Sequence, residues 1–565
     1  MENLKNFKDL QYVRPNFDEI NKIITSLTDE VKNTKNFDEL KDIIKKFEVV
    51  YSDLHTNLAI SMIRAYLDSS DKYYNDEMQE GMQKEATINY NEFYSALLNS
   101  SFSNEINNEF GEQFLIKLQD SINLKSKGMD LLEKEQELIY KYQKLKATIK
   151  VEFNGELLSE GEIRKYTTSK DRDVRKEATI NLNTAYINLR EDFKSILDEL
   201  VNVRNEIAKV NGFKSFADYM NIEKGRRDYG QKELIDFCAN VNEELSDFLK
   251  RLSDAQAKRL GLKKLKYYDQ GFNFIDGNAK PIGNGEILSE KAKEMYADLD
   301  EDISEIYNTM VDKNYLDVSE SPNKISGMGY CTELYKFKFP YVFGNCDGSH
   351  HDVDILTHEV GHAYQMYLSL KNQPLCFYSA MPNDVAEIPS KTMEHFTQDY
   401  AELFFGEDTK KFRFQFLEGS LKEVISYCAI HEFESWLYMN PEATIEERAN
   451  KYLEASKKMN PGIDYSEVEG KNIGESLLFK SMGVYMFPFY LISYAISAMS
   501  AMEFAKRMNE DKKTTWEDYK KLCSAGGSLP YYELLKVANL NSPFEKETIK
   551  NSIGFVKEKL IKYMD

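Results

Sequence analysis

Apolar residues recur at steps of three and four along most of the chain, with charged residues between them. The pattern is clear in residues 16–33 and 174–210, and it indicates helices that bury one face. Two stretches alternate as strands do: residues 147–159, around the hairpin-forming pair Asn154-Gly155, and residues 334–345. The second stretch leads directly into another helical segment. The pattern therefore predicts a mostly α protein with a small β-sheet beside that helix.

The length and composition narrow the class of protein. A chain of 565 residues is too long for one simple core, so we expect two or more lobes. The 73 basic and 94 acidic residues give a net charge of −21, which argues against nucleic acid or an anionic membrane as a partner. None of the six cysteines belongs to a Cys-x-x-Cys pair. The N-terminal residues also lack the pattern of a signal peptide. Both features favour free thiols and a cytoplasmic location.

Residues 481–502 contain no charged side chain and are long enough to span a bilayer. The segment also contains Gly483, Pro488, several serines and three tyrosines, while the rest of the chain is strongly polar. We expect a buried helix lining an internal cavity here rather than a membrane span.

The stretch LTHEVGHAYQ, residues 356–365, contains candidate metal-binding and catalytic residues. Residues four apart lie one turn apart on the same face of a helix, so His358 and His362 can both bind one metal ion. Glu359 lies beside that face, where its carboxylate can reach a water on the metal. Gly361 lowers helix propensity, and its presence predicts the close approach of another element.

Spacing alone leaves the third metal ligand open. The extended motif with a third histidine is excluded, because Gln365 and Leu368 occupy the positions that need glycine and histidine. A carboxylate from a following helix is the usual alternative. The candidates within residues 383–405 are Asp384, Glu387, Glu394, His395, Asp399 and Glu402. Glu387 and Glu394 share a helix face, so one could bind the metal while the other orients a ligand.

Several segments together resemble peptidase family M3, the group of thimet oligopeptidase and oligoendopeptidase F, and especially its Pz-peptidase-like bacterial members. The segments are GSHHDVDILTHEVGHAYQ, DVAEIPSKTMEHF and PFYLISYAIS, with QYVRPNFDEI, KISGMGYCT and HEFESWLY in support. The resemblance covers nearly the whole chain. It implies an N-terminal helical region with the hairpin at 1–170 and a catalytic region at 171–565. The catalytic region would contain the His-Glu-x-x-His helix at 352–370 and a third-ligand helix at 384–405.

The resemblance also implies a fold and a set of site residues. The fold would be two helical halves forming a clamshell around a deep channel that admits oligopeptides. His358, His362 and Glu387 would bind one Zn²⁺ per chain, and Glu394 would support them. Strand 339–345 would pair with the substrate backbone, which makes Tyr341, Phe343 and Gly344 candidate substrate-binding residues. Tyr490 and Tyr494 would donate to the oxyanion of the substrate, with Tyr485 nearby. Gly483 stands where the family usually has a histidine.

These observations predict a zinc-dependent endopeptidase that cleaves short, unstructured oligopeptides. Glu359 would act as the base toward the attacking water. A peptide-binding protein with weak or no catalytic activity is the alternative on the same scaffold, and a membrane-embedded protease would rest on residues 481–502 alone.

Overall fold

The structure, a computed structural model, describes residues 4–124, 127–325, 329–467 and 472–564. Residues 326–328 of the KISGMGYCT segment lie outside the described residues. The chain forms two compact units, each assembled from three separate stretches. The first unit comprises Met1–Asn123, Ala279–Thr409 and Phe504–Asn541, and the second comprises Leu124–Asn278, Lys410–Glu503 and Ser542–Asp565. The division predicted after residue 170 stays a prediction.

Helices dominate both units. In chain order up to the middle of the sequence they are α1 (Phe17–Asn33), α2 (Phe37–Leu67), α3 (Lys72–Glu85), α4 (Tyr90–Leu98), α5 (Ser103–Phe110), α6 (Glu112–Leu124), α7 (Met129–Ala147), α8 (Glu160–Thr167), α9 (Arg172–Ile187), α10 (Arg190–Val210), α11 (Phe216–Glu223), α12 (Gln231–Arg259), α13 (Gly285–Leu299) and α14 (Glu301–Asp312). The remaining helices are α15 (His351–Asn372), α16 (Asn383–Phe396), α17 (Ala401–Phe405), α18 (Thr409–Met439), α19 (Ile445–Met459), α20 (Ile473–Lys480), α21 (Met482–Met486), α22 (Ile492–Glu510), α23 (Lys512–Ala525), α24 (Tyr531–Val537) and α25 (Lys546–Ile561).

Helix α1 illustrates how the sequence pattern produces these elements. Asn16 caps its N-terminus by accepting a hydrogen bond from the backbone N–H of Glu19. The apolar residues Ile24, Leu27 and Val31 recur at steps of three and four, and all three are buried in the core of the first unit. The predicted helical character is confirmed.

The strands are few and short. Strands β1 (Lys150–Phe153) and β2 (Glu156–Ser159) form an antiparallel hairpin whose turn residues, Asn154 and Gly155, both have positive φ, as predicted. Strands β3 (Leu316–Asp317), β4 (Tyr330–Leu334) and β5 (Phe339–Phe343) form a second sheet in the order β3-β5-β4. This sheet packs against α15, so the small sheet predicted beside the candidate helix is confirmed.

The helix predicted over residues 384–405 is divided in the structure. Helix α16 ends at Phe396, and α17 begins only at Ala401. The physical reason lies in the side chains after the break. The Thr397 hydroxyl donates to the carbonyls of Met393 and Glu394, and the Gln398 amide also donates to the Glu394 carbonyl, so these side chains satisfy carbonyls at the helix end.

The uncharged segment 481–502 is also divided. Helices α21 and α22 are separated by residues 487–491, which include Pro488. The part of α22 between Ile492 and Met502 is largely buried, in agreement with the predicted buried helix. Within the described part of the chain, no helix combines the length and apolarity that crossing a membrane requires.

Candidate active site

The two histidines of α15 and a glutamate of α16 converge within the first unit. The rings of His358 and His362 lie 4.8 Å apart at an angle of 83°. The Nε2 atoms of both rings lie 3.3 Å from the same carboxylate oxygen, Oε2 of Glu387. The structure therefore brings together the three residues that the sequence and the family resemblance selected as metal ligands.

Gly361 allows α15 and α16 to approach closely enough for this convergence. A Cβ atom at position 361 would lie 2.7 Å from the Cα of Ser390 and 2.8 Å from the carbonyl oxygen of Pro389. Both distances are too short for a side chain, so only glycine fits between the helix backbones. The predicted close approach of another element at this glycine is confirmed.

Neighbouring side chains hold the site residues in place. Nδ1 of His358 lies 2.6 Å from Oε1 of Glu394, and the Lys391 amine lies 3.5 Å from the same oxygen. The Ser390 hydroxyl donates to Oε2 of Glu387 at 2.9 Å. These contacts fix the imidazole of His358 with its Nε2 atom, not its Nδ1 atom, facing Glu387.

The charges of the cluster are strongly coupled. Burial disfavours every charged form here, yet hydrogen bonds with Glu387 and Glu394 raise the pKa of His358 well above its ordinary value. Burial likewise opposes ionisation of Glu387, but the nearby charge of His362 and the hydrogen bond from His358 hold its pKa well below the usual range. Burial also opposes ionisation of Glu394, but Lys391 and His358 lower its pKa.

Glu359 differs from the other two carboxylates. It is 8% exposed and has neither a hydrogen bond nor an ion pair within the described ranges of the chain. Burial raises the pKa of its carboxyl group, and the two histidines only partly offset that effect. An uncommitted carboxylate with a raised pKa beside two imidazoles has the properties of a general base.

The donor set fits a divalent transition metal. One ligand atom from each of His358, His362 and Glu387 lies within 4.8 Å of the other two. A tetrahedral ion with bonds of about 2 Å separates its ligand atoms by about 3.3 Å, which matches the two Nε2–Oε2 distances. Two imidazoles and a carboxylate are the ligands of catalytic zinc sites that leave a fourth position for water.

The residues of β5 that were predicted to bind the substrate backbone lie inside the sheet and not at its edge. Strand β5 is the middle strand of its sheet, and the side chains of Tyr341 and Phe343 are 1% and 0% exposed. Gly344 donates its N–H to Asp317 and accepts a hydrogen bond from the Lys324 amine, so its backbone is already paired. This prediction is corrected: β5 is the middle strand, and β3 and β4 are the outer strands of the sheet.

The predicted substrate contact of Tyr485 is also wrong. Its side chain is 0% exposed, its ring stacks on Tyr142 at 4.2 Å, and its hydroxyl donates to the Phe193 carbonyl. Tyr485 is therefore part of the aromatic core of the second unit, with its hydroxyl satisfied inside that core. Gly483 is buried in the same unit, where a Cβ atom would collide with the side chain of Leu491.

Tyr490 and Tyr494 have the exposure that a donor to substrate requires. Both are half-buried, and their hydroxyl oxygens lie 3.4 Å apart. The ring of Tyr494 contacts Tyr427, and the Lys224 amine lies over the ring of Tyr490. The role predicted for these two tyrosines stays a prediction.

Two features were missed by the sequence reasoning. His350, His351 and Asp354 also form a group whose potential ligand atoms lie within 4.8 Å of one another. Glu333 of β4 lies near His362, as its electrostatic interaction with that residue indicates. The alternating pattern of residues 334–345 indicates β5, and only the sheet order reveals that β5 is the middle strand and that β4, like β3, is an outer strand.

A mostly helical fold with a His-Glu-x-x-His helix and a glutamate from the next helix is typical of metallopeptidases. The sequence model of peptidase family M3 matches residues 165–553, and that of the peptidase M3 N-terminal domain matches residues 7–124. The chain belongs to peptidase family M3.

Similar proteins agree with this assignment. An oligoendopeptidase F homolog of Borreliella burgdorferi is 24% identical over 98% of this chain and 96% of its own. Oligopeptidase PepF of Bacillus subtilis is 24% identical over 72% of this chain and 60% of its own. The solved structure of PZ peptidase A with an inhibitor is 31% identical, covers 99% of this chain and 100% of that chain, and has a TM-score of 0.90. These findings confirm the predicted family and fold class and identify an enzyme that hydrolyses peptide bonds in oligopeptides.

Proposed function

We propose that the protein is a zinc-dependent endopeptidase that binds one Zn²⁺ per chain through His358, His362 and Glu387. The observation that carries the proposal is the convergence of both Nε2 atoms on Oε2 of Glu387, at 3.3 Å each. A bound Zn²⁺ would supply a Lewis acid that polarises the scissile carbonyl and lowers the pKa of a water ligand to about 7. Glu394 would hold the imidazole of His358 so that its Nε2 lone pair faces the ion.

Glu359 acts as the general base in this proposal. Its carboxylate takes a proton from the attacking water and returns that proton to the amine that leaves when the peptide bond breaks. Burial and the lack of a hydrogen-bond partner among the described residues both favour this shuttling, because the raised pKa brings the group closer to neutral pH.

The sheet supplies a path for the substrate. Strand β4 is an edge strand, so an extended peptide can add to it through main-chain hydrogen bonds. Gly329, directly before β4, lies so close to α15 that a Cβ atom there would be 3.2 Å from Oε1 of Glu359. A backbone held at this edge therefore passes near the proposed base. Strand addition requires an extended chain, which favours short, unstructured oligopeptides as substrates.

We propose the cytoplasm as the location of the enzyme. All six cysteines are free thiols, and five of them are buried, as is typical of proteins in a reducing compartment.

The substitution Glu359→Gln tests the assignment of the base. The amide keeps the shape of the side chain but cannot accept the proton, so kcat/KM for a quenched peptide is expected to fall at least about a hundredfold. Zinc content, measured by mass spectrometry of the metal, is expected to stay near one per chain because Glu359 is not a ligand.

The matched control is Glu320→Gln, which removes one negative charge from an exposed position in the same unit. It is expected to keep both zinc and activity. Full activity of the Glu359→Gln enzyme would overturn the assignment of the base, and loss of zinc from that variant would make Glu359 a ligand instead.

A further inference from the structure

One face of the edge strand β4 is directed at the catalytic helix. Cys331 lies 3.5 Å, sulfur to sulfur, from Met366 of α15, and its thiol also interacts electrostatically with Glu359. Glu333, two residues further along the strand, interacts with His362 of the same helix. Alternate residues of a strand share one face, so Cys331 and Glu333 both face α15.

Glu333 is a carboxylate without a cationic partner. Its hydrogen bond comes from the neutral hydroxyl of Ser379, which donates to Oε1 at 3.1 Å. Among the residues that the structure describes, no lysine or arginine lies within ion-pair distance of it, although such pairs are common elsewhere in the chain. The side chain is half-buried, so solvent reaches it although the surrounding protein raises the pKa of its carboxyl group.

An enclosed carboxylate of this kind is costly unless a positive charge accompanies it. The imidazole of His362 does not serve this purpose in the proposed enzyme, since a metal-bound histidine is neutral. A cation from outside the protein would supply the missing charge and favour the ionised carboxylate. Glu333 is half-buried and belongs to the outer strand along which the substrate is proposed to bind.

We propose that Glu333 binds a lysine or arginine side chain of the substrate close to the scissile bond, so that the enzyme prefers basic oligopeptides. This inference rests on the function proposed above and specifies its substrate class. Along β4 the two residues from Cys331 to Glu333 span about 7 Å, and along α15 the three residues from Glu359 to His362 span about 4.5 Å. Cys331 interacts with Glu359 and Glu333 interacts with His362, so the strand runs past the proposed catalytic residues. The cationic side chain would then lie within about two residues of the bond that breaks.

The test uses the zinc-loaded enzyme and N-acetylated, C-amidated peptides that carry a single lysine at successive positions. Each peptide has a partner in which norleucine replaces the lysine, and cleavage is followed by mass spectrometry. At one or two positions beside the cleaved bond, kcat/KM is expected to be at least about tenfold higher with lysine than with norleucine. In Glu333→Gln this ratio is expected to fall close to one, and in Glu320→Gln it is expected to stay as in the unmodified enzyme.

The outcomes separate this inference from the proposed function. Cleavage of the norleucine peptides by the unmodified enzyme tests the function alone. If the ratio of kcat/KM between lysine and norleucine peptides is unchanged in Glu333→Gln, the inference is overturned. This includes the case where kcat/KM falls equally for both peptides, because Glu333 would then only position His362. Acetylation of the lysine in the peptide provides a measurement without any variant: an equal kcat/KM for lysine and acetyl-lysine peptides would also overturn it. A further outcome would contradict the proposal. If lysine-free peptides were cleaved faster with a free N-terminus than with an acetylated one, Glu333 would bind the terminal amine and not a side chain.

Discussion

At the scale of residues, a short contact between Glu394 and His358 supports the proposed metal site. Oε1 of Glu394 lies 2.6 Å from Nδ1 of His358, the ring nitrogen that faces away from Glu387. Glu394→Gln would replace a charged acceptor by a neutral amide. We expect zinc affinity or kcat/KM to fall by about 10- to 100-fold, as is typical for carboxylates behind a metal-binding histidine. Competition with a fluorescent chelator measures the affinity, and peptide cleavage at saturating zinc measures the activity.

The control for this prediction is Glu402→Gln, an exposed glutamate on the nearby α17. It is expected to leave zinc affinity and kcat/KM unchanged. If Glu394→Gln matched the unmodified enzyme in both quantities, the supporting role of Glu394 would be contradicted, and Ser390 would be left as the hydrogen-bonding neighbour of the ligands.

Individual residues differ in how far the sequence could predict them. His358 and His362 follow from helical geometry alone, because residues four apart share a face. Glu387 does not, since six acidic or histidine residues in 383–405 were compatible with a third ligand, and only the family resemblance selected one. Tyr485 was predicted wrongly for a related reason. Burial inside the second unit depends on contacts with Tyr142 and Phe193, which are distant in the sequence.

At the scale of elements, the contact between α15 and α16 determines the site. Gly361→Ala would place a methyl group 2.7 Å from the Ser390 Cα and 2.8 Å from the Pro389 carbonyl oxygen, so the helix backbones would have to separate. Overpacking of this kind costs about 1–3 kcal/mol of unfolding free energy. Because Glu387 is on the displaced helix, zinc affinity is expected to fall together with stability. Denaturant unfolding and chelator competition measure the two effects.

Gly554→Ala provides the matched control, because Gly554 lies within α25 and a Cβ atom there meets nothing within 4 Å. Alanine favours a helix by about 0.5–1 kcal/mol relative to glycine, so this variant is expected to be as stable as the unmodified protein or slightly more stable. Equal stability and zinc affinity of the Gly361→Ala and Gly554→Ala variants would show that the two helices adapt without cost.

The sheet illustrates why element type was easier to predict than element order. Alternation in residues 334–345 correctly indicated the strand that became β5. Which strand has a free edge depends on β3, a two-residue strand that pairs in parallel with Val342 and Phe343. So short a strand leaves no periodic signal in the sequence, so the sequence could not indicate that β5 is the middle strand of the sheet.

At the scale of the whole molecule, both compact units are built from stretches far apart in the chain. The sequence could predict that 565 residues form more than one lobe, because chain length limits the size of a single core. It could not predict which stretches join, because the apolar faces of helices are chemically alike and their partners are chosen by tertiary packing. All residues proposed to bind or surround the metal belong to the first unit: His358, Glu359, His362, Glu387 and Glu394.

The proposed metal should therefore stabilise the folded protein as well as support catalysis. A ligand that binds only the folded state at about a thousand times its Kd adds about 4 kcal/mol to the unfolding free energy. We expect chelation to lower the Tm by about 3 °C if the whole chain unfolds together, or by about 7 °C if the first unit unfolds alone, and added zinc to restore it. Glu359→Gln keeps all three proposed ligands and should show the same shift, while Glu387→Gln loses one ligand and should show a much smaller shift. Calorimetric scans with and without chelator measure each shift independently of activity. An equal shift in the Glu387→Gln protein would mean that the stabilising metal binds elsewhere, and the group of His350, His351 and Asp354 would then be the first site to examine.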